Sequence, residues 1–471
     1  MVNVSALLTL TVYGGILLAA GLWSARRATS EDAFLLGDRD LGPWVAGLSY
    51  AASSSSAWVL LGYTGFVYAA GPSAFWMAPG ILAGYAAVWL WAGSLLQEMS
   101  RAKGHLTLTD FLTETASPRT ARLIRLTASV LIAFCFSYYI AGQFQGAGAA
   151  IGGLFGGSPT SGILLGALII VAYTLLGGFL AVSLIDTLQG LLIALVAIIL
   201  PSAAFFYAGG FEGIGQALAT ASGAYTAPFG GRSAFLAVGF VVGLTATGFG
   251  ALGQPHLVAW IMASRDTKAR VRGAAVAIGW GLLIYISMTM VGLTGRAILG
   301  AEENPESVFF AVSNAALPGI FAGIIGAATL SAIMSTVDSQ LLVAGAAISH
   351  DSGMGRLIGD RFVLASRLAI VAVSAIALGL TLLAPASLFE RILFAWTALG
   401  SAFGPVVVAR VLGRRPAGEI ILAAMLTGFV TALVFEFVLP QGPGAVWART
   451  VPWMAGLAVL GSGRGSARDR P

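Results

Sequence analysis

Residues 43–70 read PWVAGLSYAASSSSAWVLLGYTGFVYAA, an apolar run with four consecutive serines, Ser53 to Ser56, at its middle. A helix crosses a bilayer with about 20 apolar residues, and this run is longer than that. Four successive hydroxyls on a helix cannot all face one neighbour, and they compete with the backbone for hydrogen bonds. In lipid an unpaired backbone group is costly, so irregular chain persists only where it lines a cavity. Two readings follow: small residues packing between close helices, or an unwound stretch whose carbonyls and hydroxyls hold an ion or a solute.

The rest of the chain sets this run in a membrane. Of 471 residues, 58% are hydrophobic and only 10% charged, against about 45–50% and about 25% in soluble domains. The 62 glycines suit closely packed membrane helices. The single cysteine, Cys135, makes no internal disulfide and implies no oxidising compartment. The first apolar run has Arg26 and Arg27 after it rather than before it, so it reads as a retained helix and not a signal peptide. Spanning segments are expected at roughly 5–25, 43–70, 74–98, 121–152, 160–182, 186–208, 233–262, 273–298, 308–347, 363–384, 389–412, 418–438 and 447–462.

These thirteen segments put the termini on opposite sides. With the N-terminus outside, all of the 25 Lys and Arg residues except Arg232, Arg296, Arg391 and Arg449 fall on cytoplasmic stretches. The charges therefore orient the chain in the inner membrane, with a cytoplasmic C-terminus, and do not point to nucleic acid. The expected partners are the lipid bilayer and small ligands; nothing points to an obligate protein partner.

A second break lies five segments after the first: 233–262 carries Gly248, Gly250 and Gly253. Interrupted helices in matching positions of two halves mark an inverted-repeat transporter. The reading is one all-α polytopic transporter domain. Its parts are a peripheral first helix (1–30), repeats at 43–208 and 233–412, two peripheral helices (418–462) and a cytoplasmic tail (463–471). The three glycines also match the dinucleotide fingerprint, but that motif needs a preceding strand in a soluble βαβ unit and is rejected here.

Polar residues inside apolar segments are the candidate chemistry. Segment 9 holds Ser335 and Thr336, with Asp338 one turn on from Ser335; an intramembrane carboxylate is a functional hypothesis by default. Oxygen-only ligands suit a hard cation such as sodium. Asp186, expected to open segment 6 with Gln189 a turn later, reads either as a helix N-cap at the cytoplasmic interface or as a polar group facing the inner vestibule. Tyr139, deep in segment 4, is core or solute contact. His105, His256 and His350 show no metal spacing, and no nucleophile–base arrangement suggests an enzyme.

Several stretches together resemble the sodium:solute symporter family, especially its proline-carrying members. They are Leu41-Gly42-Pro43 leading to Leu48-Ser49 and Ala57-Trp58; Gly177 to Ser183 with Asp186, Thr187 and Gln189; Gly253-Gln254-Pro255-His256-Leu257; Met334-Ser335-Thr336 with Gln340-Leu341-Leu342; and Ala402-Phe403-Gly404-Pro405. The resemblance runs from about residue 33 to 408. It implies a five-plus-five inverted repeat of the leucine-transporter type, with broken first and sixth core helices. It also implies sodium as the coupling ion, held by the backbone of Ala52, Ser55 and Ala332 and the hydroxyls of Ser335 and Thr336. By their places in the segments alone, Asp338 and Asp186 are candidates for an additional ion or gate role. The solute, a proline-like amino acid at first guess, would lie near Ser53, Ser54, Ser56, Trp58, Tyr139, Thr247, Ala251 and Gln254. Two departures stand out: the proline-carrying members have an acid at the position of Ser54 and aromatic rings at those of Thr247 and Ala251, so a wider pocket is expected. The competing readings are proton-coupled symport, a transporter-like solute sensor and, more weakly, a channel.

Overall fold

The computed structural model describes residues 8, 11–17, 19, 31–155, 158–175, 178–301, 303–357, 361–384, 386–439 and 447–462. Among them the chain is helical, with one isolated bridge, Leu41 to Ser264, and no strand. Among the described residues, nine helical runs are long and apolar enough to span a membrane. One of them, Pro43–Lys103, contains both expected segments 2 and 3, which turn at Gly71. Segments 5 (Pro159–Thr174) and 13 (Val451–Ser462) are shorter apolar helices. Most of segment 1 and all of the 463–471 tail lie outside the described residues, so the count of thirteen is not fixed by them.

Segments 9 and 11 form the centre: 78% and 94% of their most apolar windows are buried, against 33% for segment 12. Their burial inside protein explains why these segments can carry polar groups. Segment 2 packs on segments 6, 8 and 9, and segment 3 crosses segment 7 so closely that a methyl on Gly84 would meet the Gly248 carbonyl at 2.0 Å. Small residues allow that approach where apolar burial alone cannot drive helices together.

Three boundaries differ from expectation. Segment 6 starts at Phe179, after an extended Gly178, not near residue 186. Segment 5 correspondingly ends at Thr174. The run 308–347 is two elements, Val308–Ala316 and Ala322–Ala346, parted at Leu317 and Pro318 because proline disfavours helical geometry in the residue before it.

Candidate functional site

The break in segment 2 falls at Ser56, whose φ of 51° and ψ of −177° lie outside helical space. The amides beyond it turn to side chains: Ala57 N–H donates to Gln143 Oε1 (3.1 Å) and Trp58 N–H to Ser56 Oγ (3.0 Å). Ser53 turns its carbonyl to segment 9, where it accepts from Thr336 Oγ1 at 2.9 Å, and its hydroxyl meets Ser339 Oγ at 2.5 Å. Ala332 O in turn accepts from Thr336 (3.1 Å) and Ser335 (3.3 Å). Ala52, Ser55, Ala332, Ser335 and Thr336 are all fully buried. The fold thus joins the serine break to the Ser335/Thr336 pair by direct bonds. Neutral hydroxyl and carbonyl oxygens from two crossing helices form a donor set that fits a small hard cation.

Beside this junction lie two carboxylates. Asp338 accepts from Ser339 N–H at 2.7 Å. Asp186 is fully buried, within electrostatic reach of Asp338, and neither of its carboxylate oxygens has a hydrogen-bond partner. The N-cap reading of Asp186 is overturned: because segment 6 starts at Phe179, Asp186 sits two turns inside the helix, on the side that faces segment 9. Gln189, one turn on, is also fully buried.

A small cavity is lined by Ser54, Trp58, Ile81, Tyr85, Tyr139, Thr247, Tyr285, Ile392, Leu393 and Trp396. Four of these, Ser54, Trp58, Tyr139 and Thr247, were expected at the solute site. Ser54 Oγ bonds Tyr85 OH, and Ser56 Oγ meets Tyr139 OH at 3.2 Å just behind the wall. Ser53, Ala251 and Gln254 do not line the cavity. Ser53 turns to Thr336 and Ser339 on segment 9. Ala251 and Gln254 were placed beside the solute at the segment 7 break, but segment 7 tightens to a 3₁₀ turn at Gly250–Gly253 and extends at Gln254 (φ −93°, ψ 106°), which turns them away from the cavity. Gln254 instead donates to Trp396 O (2.9 Å), and the Trp396 indole donates to Thr247 O (2.8 Å). Trp396 therefore ties both sides of the break to segment 11, and its ring takes up part of the room that the missing aromatics would leave. Tyr85, Tyr285 and Trp396 were missed in the sequence; their one signal is a polar aromatic in an apolar segment.

Both ends of the cavity are covered. On one side Phe389 stacks on Trp58 (5.9 Å) and Phe66 (5.3 Å), and Phe389 N–H donates to Glu306 Oε1 at 3.3 Å, below a vestibule lined by Gly62, Gly65, Gln145 and Asn304. On the arginine-rich side the main chain of Leu41 bonds Ala263 O (3.1 Å) and Arg265 N (2.9 Å), while Gln97 (2.8 Å) and Arg101 (3.0 Å) both hold Ser264 O.

On that same side, Asp110, His350 and Asp351 present ligand atoms within 4.8 Å of one another, a spacing that would hold a metal ion. Asp110 is already committed, however: Arg125 (3.1 Å) and His350 (3.3 Å) contact it, and it caps its own helix with Thr107. Burial raises the Asp110 carboxyl, but His350, the Leu106 N–H and Arg125 outweigh burial and hold it at about 2. The group is a staple between the Leu108–Thr113 helix and the end of segment 9.

Comparison with known proteins agrees with this architecture. The family model for the sodium:solute symporter family matches residues 34–428. The chain is 31% identical to the high-affinity proline transporter PutP of Bacillus subtilis, over 89% of each chain. It is also 31% identical to the sodium/proline symporter of Escherichia coli, over 90% of this chain and 86% of that one. Among solved structures, a Na+-coupled sialic acid symporter in a substrate-bound outward-open state superposes with a TM-score of 0.80 at 17% identity, over 97% of this chain and 96% of that one. A nucleobase-cation-symport-1 family transporter in a closed conformation gives 0.58 at 13%, over 91% and 93%. The two structural likenesses establish the fold, a broken-helix transporter core. Together with the family match over most of its length, they make this chain a member of the sodium:solute symporter family, a multi-pass secondary transporter that couples a small solute to sodium.

Proposed function

We propose that the chain carries proline, or a closely similar small amino acid, inward with sodium across the inner membrane. The observation that carries the ion assignment is the bond from Thr336 Oγ1 to the Ser53 carbonyl, which joins the two helices at the break. Sodium is coordinated by the carbonyls of Ala52, Ser55 and Ala332 and the hydroxyls of Ser335 and Thr336. Ser54, Trp58, Tyr139 and Thr247 contact the solute in the adjoining cavity. The proline-named relatives support the substrate class, and the small, aromatic-walled cavity suits a compact solute. Segments 2–6 and 7–11 form the two inverted repeats, supported by breaks at Ser56 and Gly250–Gly253, five segments apart.

Asp186 and Asp338 serve the cation on its way to the cytoplasm. Two buried carboxylates in one membrane-embedded cluster favour a cation between them, because charge–charge attraction at short range in protein is worth several kcal/mol. The N-terminus faces outward and the C-terminus the cytoplasm, as the positive-inside distribution supports; the arginines at 39, 101, 265 and 270 gather at one end of the fold.

The test is a thermal-shift screen of purified protein against amino acids, small carboxylates and osmolytes, in sodium and in potassium. A substrate raises the melting temperature by mass action. Proline should stabilise in sodium and not in potassium; a rise produced only by another solute class refutes the substrate, and a rise indifferent to the cation refutes the coupling.

A further inference from the structure

We propose that Tyr13, on the first segment outside both repeats, is a positioning residue of the cation path. This rests on the reading of segment 9 as the ion-holding helix. Tyr13 OH lies 2.5 Å from Ser331 Oγ. Ser331 gives its own proton to Ala327 O at 2.7 Å, so Tyr13 is the donor in that bond. The phenol oxygen's lone pairs then face buried polar groups of segment 6, among them the Gln189 amide, which has no hydrogen-bond partner among the described residues.

The placement along segment 9 explains the role. Ser331, Ser335 and Asp338 are spaced four and three residues apart and share one helical face. Ser331 and Asp338 are fully buried, and so are Asp186 and Gln189 across from them on segment 6. A stripe of hydroxyls and carboxylates thus runs from the proposed sodium ligands to Tyr13, and Tyr13 closes its far end. Leu17, one turn on, is buried against the core, whereas Val12 and Ile16 are exposed apolar residues. A hydroxyl at position 13 orients Ser331, and so sets the field that a cation meets along this stripe.

The test reads sodium directly and needs no solute. Melting of the purified full-length protein is titrated with sodium against potassium at constant ionic strength. Tyr13→Phe keeps the ring and removes the hydroxyl; it should raise the apparent sodium constant about tenfold, the size of one hydrogen bond to an ion-holding group. Ser331→Ala should give the same rise, and the double variant no more, because the two share one interaction. Ile16→Ala, at an exposed apolar position, should leave the constant unchanged. An unchanged constant in Tyr13→Phe, or an equal rise in Ile16→Ala, overturns the proposal. Two further results separate it from the reading beneath it. If sodium does not stabilise the wild-type chain at all, the sodium assignment fails. If Asp186→Asn leaves the constant intact while Tyr13→Phe raises it, Asp186 is not an ion group and Tyr13 acts through Ser331.

Discussion

Thr336→Val replaces a hydroxyl with a methyl at nearly constant shape, so any effect is one of oxygen chemistry. Thr336 Oγ1 makes a 2.9 Å bond to the Ser53 carbonyl and a 3.1 Å bond to Ala332 O, with no solvent access. Removing it strands a buried acceptor at the break and deletes one proposed ligand. A stranded buried group costs about 1–3 kcal/mol, and an interaction with a charged group is worth about 1.5–3 kcal/mol. At about 1.4 kcal/mol per tenfold, the apparent sodium constant should rise between roughly tenfold and a hundredfold, while turnover at saturating sodium changes much less. Thr336→Ser restores the oxygen and should recover most of the affinity. The assay is sodium-dependent uptake of labelled proline into proteoliposomes, with the amount of inserted protein measured in parallel. Thr336→Val with wild-type sodium activation would refute the assignment of the site.

Three further outcomes are expected. Ser56 holds a positive φ in a region that glycine favours, so Ser56→Gly should melt near the wild-type temperature, while branched Ser56→Val should lose about 1–3 kcal/mol of stability and most of its uptake. A methyl on Gly250 would sit 2.3 Å from the Trp396 indole nitrogen; Gly250→Ala should cut uptake at least about tenfold, in line with an overpacking cost of about 1–3 kcal/mol, and Trp396→Phe in the same chain should recover part of it. Asp110 is held at about 2 in the folded protein against an ordinary 3.8, so it stabilises above the ordinary value and loses that stabilisation as pH falls through the folded one; the melting difference between wild type and Asp110→Asn should be full at neutral pH and vanish between pH 3.8 and about 2.

The membrane fold was readable because its cause is local. Hydropathy fixes which stretches enter lipid, and the Ser53–Ser56 run and the glycines at 248, 250 and 253 mark where those helices must break. The meeting of the serine break with segment 9 was readable through family-type residues around Ser335 and Thr336. What could not be read was orientation after a break. Ala251 and Gln254 were placed beside the solute at the break, but the 3₁₀ turn sends them to segment 11. Asp186 looked like a helix start because the segment was expected to open after the Gly177 to Ser183 stretch; the helix had begun at Phe179, and the Ser183 and Thr187 hydroxyls bond back into it. Trp396 and Tyr85 reach the cavity from segments that carry no break, and only tertiary packing puts them there.

The closure between Leu41 and residues 263–265 is made of main-chain atoms on both sides. Its contact energy is therefore the same whichever side chains stand at those positions, and an alanine scan across them would pass over it. Only an exchange that takes away an amide proton can weaken it, which leaves proline at 41 or 265 as the informative replacements. Amide deuterium uptake at Leu41 and Arg265 would follow the opening and shutting of this face in an unmodified protein, turning two backbone protons into a clock for the transport cycle.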